Sequence, residues 1–399
     1  MKKLFALGAL ACAPLAAGAI PPLILLSLDA FRWDYSARHP AETSQLRQLG
    51  REGAVTRALI PVFPTNTFPN HYSIVTGLYP AHHGIINNHF FDPGRGRYFH
   101  YNQPDASHDS HWWGGEPIWV TALKQGGQSA CWFWPGSEAE ISGRRPTLWR
   151  PYDPAMPFDQ RLDELLAWLS HPAGPGAMVA TFYLEETNSV GHKFGPDSPE
   201  IATAIKVADD RIGQLTTRLR AAGVEANLVI VSDHGMTPIS AERVLILDQY
   251  LDLANVQVDF DGPVAGLRPL RGDASAIVRA LASLPHAKAY LTEDLPARLH
   301  HGAHACSPPI WIVPDEGWEI FPRRAGNRTP LHLNQADHGY DPAFESMRGI
   351  FIAHGPSFKS RVTIEPVENI HIYNLLCAAL GLTPAPNDGD DRLVRAMLR

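Results

Sequence analysis

The chain has little cysteine. Four of its 399 residues are Cys, and one of these, Cys12, lies in an apolar stretch at the N-terminus. The other three, Cys131, Cys306 and Cys377, allow at most one disulfide between them, so no disulfide framework organises the fold. Cys131 and Cys377 sit in apolar contexts and read as buried packing residues. An excess of positive charge is also missing. Lys and Arg number 34 against 41 Asp and Glu, a net charge of −7, and the basic residues are scattered. That excludes a basic footprint for nucleic acid and argues against steering of polyanions. Beyond the N-terminus no apolar run is long enough to span a bilayer, and there is neither an internal repeat nor a low-complexity tract. With 45% hydrophobic and only 19% charged residues, the composition is that of a globular chain with a large core. The length suits one large α/β domain with an insertion, or two domains.

Residues 1–19 read as a secretory signal. Lys2 and Lys3 form the charged start, Leu4 to Leu15 the apolar stretch, and Ala17-Gly18-Ala19 a small-residue cleavage site. A lipoprotein reading at Cys12 is the weaker one, because the residue three before it is Ala rather than Leu. The mature chain is therefore expected to be exported, periplasmic or secreted, without a transmembrane segment.

What is present is a set of apolar runs that stop on metal-ligand residue types. Leu228-Val229-Ile230-Val231 ends at Asp233-His234-Gly235, and Leu23-Ile24-Leu25-Leu26 ends at Asp29. Open α/β folds place their sites at the carboxyl edge of the sheet, and Asp and His are good ligands for zinc. Gly191-His192 and Asp337-His338-Gly339 add two further segments. Four separated segments offering Asp or His at strand ends or loops form the footprint of a two-metal hydrolase.

Strands are expected at 22–28, 54–60, 129–134, 177–184, 227–232 and 348–353. Helices are expected at 43–52, 69–77, 115–126, 158–170 and 199–222; in the last, Ile205, Ala208, Ile212, Leu215 and Leu219 share one face. The alternation predicts a mostly parallel sheet flanked by helices on both faces. Residues 240–335 are rich in His, Pro and Arg and are expected to form a smaller inserted α+β subdomain. The catalytic domain would then comprise 20–239 and 336–399.

Thr67 precedes Pro69 at what looks like a helix entry. A hydroxyl there lies in the positive end of the helix dipole, and a metal ion beside it would make it a nucleophile. On spacing alone the alternative, that Thr67 is only an N-cap, stands beside this.

In order along the chain, LLSLDAFRWDY, PTNTFPNHYSIVTGLYPAHHGIINN, GEPIWVTALKQG, FWPGSE, MPFDQR, YLEETNSVGHKFGP, VSDHGM and DHGYDP…SMRGIFIAHGPSF resemble the nucleotide pyrophosphatase/phosphodiesterase family of the alkaline phosphatase superfamily. The resemblance covers most of the mature chain and implies an alkaline phosphatase-like fold. It further implies Thr67 as the nucleophile and two zinc ions, one held by Asp29, Thr67, Asp233 and His234, the other by the residue at 188, His192 and His338. Asn88 would donate to a phosphate oxygen, although a turn role also suits it. Phe68 and Tyr152 would sandwich the base of a small-molecule nucleotide substrate, where ordinary packing is the alternative. The tryptophans 112, 113, 119, 132, 134 and 149 read as packing residues, and the remaining histidines are assigned to no metal.

One position departs from the family pattern. Asn188 stands where a carboxylate, Asp, is expected four residues before His192. It removes a negative charge from the second site, for which neighbouring Glu185 or Glu186 could substitute. The implied activity is cleavage of nucleotide phosphodiester or pyrophosphate bonds through a threonine-linked nucleotidyl intermediate, releasing nucleoside monophosphates. A phosphodiesterase for lipid or choline headgroups and a metal-impaired nucleotide-binding protein stay open as alternatives. A sulfatase is disfavoured, since the C/S-x-P-x-R motif is absent at the nucleophile.

Overall fold

The run LILLSL forms strand β1 (Leu23–Leu28), and all six of its residues are buried. A strand covered on both faces shows no polar alternation, as expected near the centre of a parallel sheet. The computed structural model describes residues 20–170, 176–302, 304–323 and 334–399, so the expected signal at 1–19 lies outside the described residues. The same sheet contains β2 (Ala54–Thr56), β3 (Gln128–Trp132), β4 (Leu148–Arg150), β5 (Met178–Leu184), β6 (Asn227–Val231), β7 (Phe351–His354) and β8 (Val362–Ile364). Their spatial order is β8-β2-β7-β6-β1-β5-β3-β4. Neighbours run parallel except at β7, which is antiparallel to both β2 and β6.

Successive residues of a strand point to opposite faces, and the core divides accordingly. Leu23, Leu25, Val229 and Val231 pack into one apolar cluster; Ile24, Leu26, Leu28, Leu228 and Ile230 pack into another. Helices α1 (Ser44–Glu52), α2 (Thr67–Thr76), α3 (Ile118–Lys124), α4 (Phe158–Ser170), α5 (Glu186–Phe194), α6 (Pro199–Ala221) and α7 (Ile372–Ala379) surround the sheet. Residues of α2, α3 and α7 contribute to the first cluster, and residues of α1, α4 and α6 to the second. The fold class is thus the expected one. In α6 the predicted face is buried throughout, and Ser198 caps the helix by accepting the Ile201 N–H. Asp209, on the same helix, accepts the N–H groups of Gln45 and Leu46 at 3.0 and 2.8 Å. A carboxylate from α6 therefore satisfies donors at the start of α1 that have no partner within their own helix.

Several expected elements shift. The single strand foreseen at 54–60 is two, because Leu59 turns to exchange backbone hydrogen bonds with Gly349 and joins a separate pairing with Val367. The strand foreseen at 348–353 begins at Phe351, since the carbonyls of Met347 and Arg348 are taken by Gly235 and Trp33. Cys131, Cys306 and Cys377 are free thiols, all buried.

Between the two Asp-His-Gly segments the chain forms a four-stranded antiparallel sheet, in the order Val256–Phe260, Ala265–Pro269, Ile310–Pro314, Ala287–Leu291. It has an apolar cluster of its own around Leu267, Ile310 and Ile312. At the base of this excursion, Thr237 pairs with Asp337 and Pro238 with Ala336. This two-residue clasp brings Asp337 and His338 back beside Asp233 and His234.

Candidate active site

The three central strands β6, β1 and β5 end level with one another, Ser27 opposite both Val231 and Tyr183. Their carboxyl ends therefore present Asp233, Asp29 and Glu185 side by side at the edge where α/β sheets carry their chemistry. Gly235 follows His234 because there is no room for a side chain: a Cβ there would lie 2.0 Å from the Ser346 carbonyl oxygen. Gly339 has φ +115°, a backbone conformation that favours glycine, and a Cβ there would lie 2.8 Å from the Asn66 side-chain oxygen.

Thr67 is the first residue of α2. Asn66 occupies the cap position without a side-chain capping bond, so the N-cap reading of Thr67 does not hold. Its Oγ1 instead lies 3.2 Å from His234 Nε2. His71, one turn further along, ties this entry to the site: its Nδ1 is 2.8 Å from the Thr67 carbonyl oxygen and 3.3 Å from Asp233 Oδ2.

Asp29, Asp233 and His234 are all buried, with ligand-type atoms within 4.8 Å of one another. His234 Nε2 is 3.6 Å from Asp29 Oδ1 and 3.0 Å from Asp233 Oδ2. Asp29 Oδ1 has no hydrogen-bond partner, and Asp233 Oδ2 faces only the imidazoles of His234 and His71. Burial, followed by repulsion from Asp233, pushes Asp29 up to about 7. Burial also raises Asp233, but His234 and His71 outweigh it and hold that carboxyl well below the usual range. Two buried carboxylates crowded onto one imidazole are costly without a counter-charge. The donor set fits a divalent cation.

A second group surrounds His192 and His338, whose ring centroids are 5.0 Å apart. Nδ1 of each faces a backbone carbonyl, Ala336 at 2.9 Å and Thr65 at 3.1 Å, an arrangement that keeps the proton on Nδ1 and frees Nε2 for a ligand. Burial, then repulsion from His234 and His192, holds His338 well below the usual range, so its ring is neutral. Asn188 lines the same cavity, and its Oδ1 is buried with no hydrogen-bond partner. Of the two neighbouring acids, Glu186 is ion-paired to Arg211, whereas Glu185 lines the cavity with Oε2 buried and unpartnered. Asp337 supplies a carboxylate that sequence reasoning left unused: its Oδ1 accepts the His338 N–H at 2.8 Å and lies 3.8 Å from His192 Nδ1.

Both groups open into one cavity of about 520 Å³, whose lining includes Asp29, Thr67, Asn88, Asn188, His192 and His338. Asn88 Oδ1 accepts the Phe68 N–H at 2.8 Å, which leaves its amide NH₂ as the donor. Phe68 and Tyr152 also line the cavity. Phe68 packs against Tyr101 with centroids 5.6 Å apart, and Tyr152 against Phe133 at the same separation. Of the tryptophans expected to be packing residues, Trp134 is buried yet forms part of the cavity wall. Tyr101, Phe133 and Tyr183 are lining residues that the sequence reading did not single out. Tyr183 is the penultimate residue of β5 and lies opposite Ser27 of β1.

A family model described as type I phosphodiesterase/nucleotide pyrophosphatase matches residues 23–341. The chain belongs to this family. Among its curated relatives in the nucleotide pyrophosphatase/phosphodiesterase family are ectonucleotide pyrophosphatase/phosphodiesterase family member 3 of Rattus norvegicus, 36% identical over 391 residues, and venom phosphodiesterase of Macrovipera lebetinus, 38% identical over 393 residues. Each alignment covers 95% of this chain but only 44% and 45% of the relative, so the chain spans less than half the length of these proteins. Among solved structures, murine ectonucleotide pyrophosphatase/phosphodiesterase 5 is similar with a TM-score of 0.88 and 34% identity, covering 95% of this chain and 100% of that one. That structure is of an inactive threonine-to-alanine variant in complex with AMP. Among the described residues of this family member, no helix is long and apolar enough to cross a membrane.

Proposed function

We propose that the protein is an exported, zinc-dependent phosphodiesterase that cleaves nucleotide phosphodiester or pyrophosphate bonds. The observation that carries this reading is the Thr67 hydroxyl, 3.2 Å from His234 Nε2 at the entry of a buried helix, facing a cavity that Phe68 and Tyr152 also line. The structural neighbour inactivated by a threonine-to-alanine change and holding AMP supports both the nucleophile and the product class.

Two zinc ions, held by Asp29, Thr67, Asp233 and His234 and by Asn188, His192 and His338, would favour the alkoxide of the nucleophile and neutralise charge on the phosphoryl oxygens. The chain's own groups do the rest. Thr67 Oγ1 attacks phosphorus in line, forming the threonine–phosphorus ester as the bond to the leaving oxygen breaks. Hydrolysis of that ester releases a nucleoside monophosphate and restores the hydroxyl. The Asn88 amide, held by its bond to the Phe68 N–H, donates to a phosphoryl oxygen as charge develops. Phe68 and Tyr152 stack on the base, which fixes the phosphate over Thr67. Residues 240–335 form an inserted subdomain whose closure returns His338 to the site.

The test is hydrolysis of a nitrophenyl nucleotide diester against nitrophenyl phosphate and nitrophenyl phosphocholine, with and without added zinc. Preference for the nucleotide diester, dependent on zinc, supports the reading. Preference for phosphocholine would replace it with a headgroup phosphodiesterase. Asn188, neutral where a carboxylate is expected, favours one competing reading: a metal-impaired protein that binds nucleotides without efficient turnover. Metal content below one zinc per chain after dialysis, with nucleotide binding retained, would support that instead.

A further inference from the structure

The two carboxylates of the first ligand group are presented in the same manner. Each has one oxygen occupied by a donor from a neighbouring segment and the other turned towards His234. Asp233 Oδ1 accepts the Ala30 N–H at 3.2 Å, leaving Oδ2 to face the imidazoles of His234 and His71. Asp29 Oδ2 accepts the Tyr183 hydroxyl at 2.5 Å, leaving Oδ1. For Asp233 the donor is a backbone N–H, independent of the side chain at that position. For Asp29 it is a single phenol, reaching across from the adjacent strand β5.

We infer that Tyr183 is the positioning residue of the first cation site: its hydroxyl occupies one oxygen of Asp29 so that the other alone faces the cation. This rests on the metal-dependent reading above. A carboxylate free to rotate can chelate through both oxygens or turn one away, and either changes the charge and room left for Thr67 Oγ1. Partners that orient a ligand carboxylate or imidazole are worth about 10–100-fold in metal affinity. The ring of Tyr183 is itself held, edge-on to His71 with centroids 5.3 Å apart, and His71 contacts both the Thr67 carbonyl and Asp233. Asp29, Asp233 and the nucleophile's turn are thereby braced by one Tyr–His pair. Tyr183 also lines the cavity, so removal of the whole side chain would confound positioning with ligand contact. The hydroxyl alone is the informative deletion.

The test compares wild type, Tyr183→Phe, Asp29→Asn and the double variant as full-length proteins. Each is stripped with a chelator and titrated with Zn²⁺ by calorimetry, then loaded with Co²⁺ for visible absorption. Tyr183→Phe keeps the ring, so thermal stability and KM for a nitrophenyl nucleotide diester should change little. The tighter of the Zn²⁺ affinities should fall 10- to 100-fold, kcat should fall, and the Co²⁺ spectrum of that site should alter. In the Asp29→Asn background the same change should add less than about twofold, because the residue acts through Asp29. Unchanged Zn²⁺ affinity in Tyr183→Phe, or full additivity with Asp29→Asn, overturns the assignment. A wild type that takes up no cation overturns the functional reading and this assignment with it. A wild type that binds while Tyr183→Phe binds equally overturns this assignment alone.

Discussion

Replacing Asn188 with Asp probes the departure at the second cation site with almost no change in shape. Asn188 Oδ1 has no hydrogen-bond partner, so the substitution breaks no bond at that oxygen and adds a charge. Two unit charges about 4 Å apart interact by roughly 4 kcal/mol at the effective permittivity of a partly buried site. Desolvation of the new carboxylate offsets part of this, which leaves about 1.5–3 kcal/mol, or 10- to 100-fold in affinity. The first group, with Asp29, Asp233 and His234, should change little. Diesterase activity measured against buffered free zinc should therefore reach half-maximum at 10- to 100-fold lower zinc in Asn188→Asp, and the two proteins should converge when zinc is abundant. Metal content after dialysis should rise towards two per chain. Superimposable zinc curves would refute the reasoning and point to Glu185 or Asp337 as the carboxylate that holds the second ion.

Thr67→Ala should lower diesterase turnover by several orders of magnitude with the fold intact, and retention of more than about a tenth of the wild-type rate removes Thr67 as nucleophile. Phe68→Ala and Tyr152→Ala should each cost about 1–3 kcal/mol in binding of nucleotide esters, read as raised KM; equal losses on a diester without a base would count against a base slot. His83 is buried with Nδ1 accepting the Ile85 N–H, and burial pushes its pKa down to about 3. Its unfolded value is near 6.5, so the stability it contributes is complete above that pH and is lost as pH falls towards 3, at about 1.4 kcal/mol per pH unit. His83→Gln should flatten the decline of denaturant midpoint between pH 6.5 and 5, and an unchanged slope would rule this group out.

The parts of the site legible in the sequence were those at the ends of apolar runs. Asp29, Asp233 and His234 each follow a strand whose uninterrupted hydrophobicity marks it as central, and a central parallel strand delivers its next residues to the functional edge. Thr67 needed more than periodicity, because an N-cap and a first helical residue differ by one position, which only the backbone at Asn66 decides. Tyr183 escaped since its partner Asp29 is on another strand, and the register that joins them is invisible in a linear reading. Asp337 was in view within its Asp-His-Gly segment, but its proximity to His192 depends on a two-residue clasp with Thr237 and Pro238. Strands β4 and β8 were missed because three residues at a sheet edge carry little apolar signal.

That clasp has a kinetic consequence. The imidazoles of His234 and His338 stack with centroids 3.7 Å apart, yet the whole inserted segment separates them along the chain. Closing a flexible loop of about 100 residues costs on the order of 4 kcal/mol in chain entropy. Contacts of this range form after the local elements, although the pairings of β1 with β5 and β6 join residues still further apart along the chain. A chain arrested before closure would already carry Asp29, Thr67, Asp233 and Asn188 but lack His338. An ion held by residues on both sides of this excursion would act as a staple on its closure, coupling the acquisition of metal to the completion of folding.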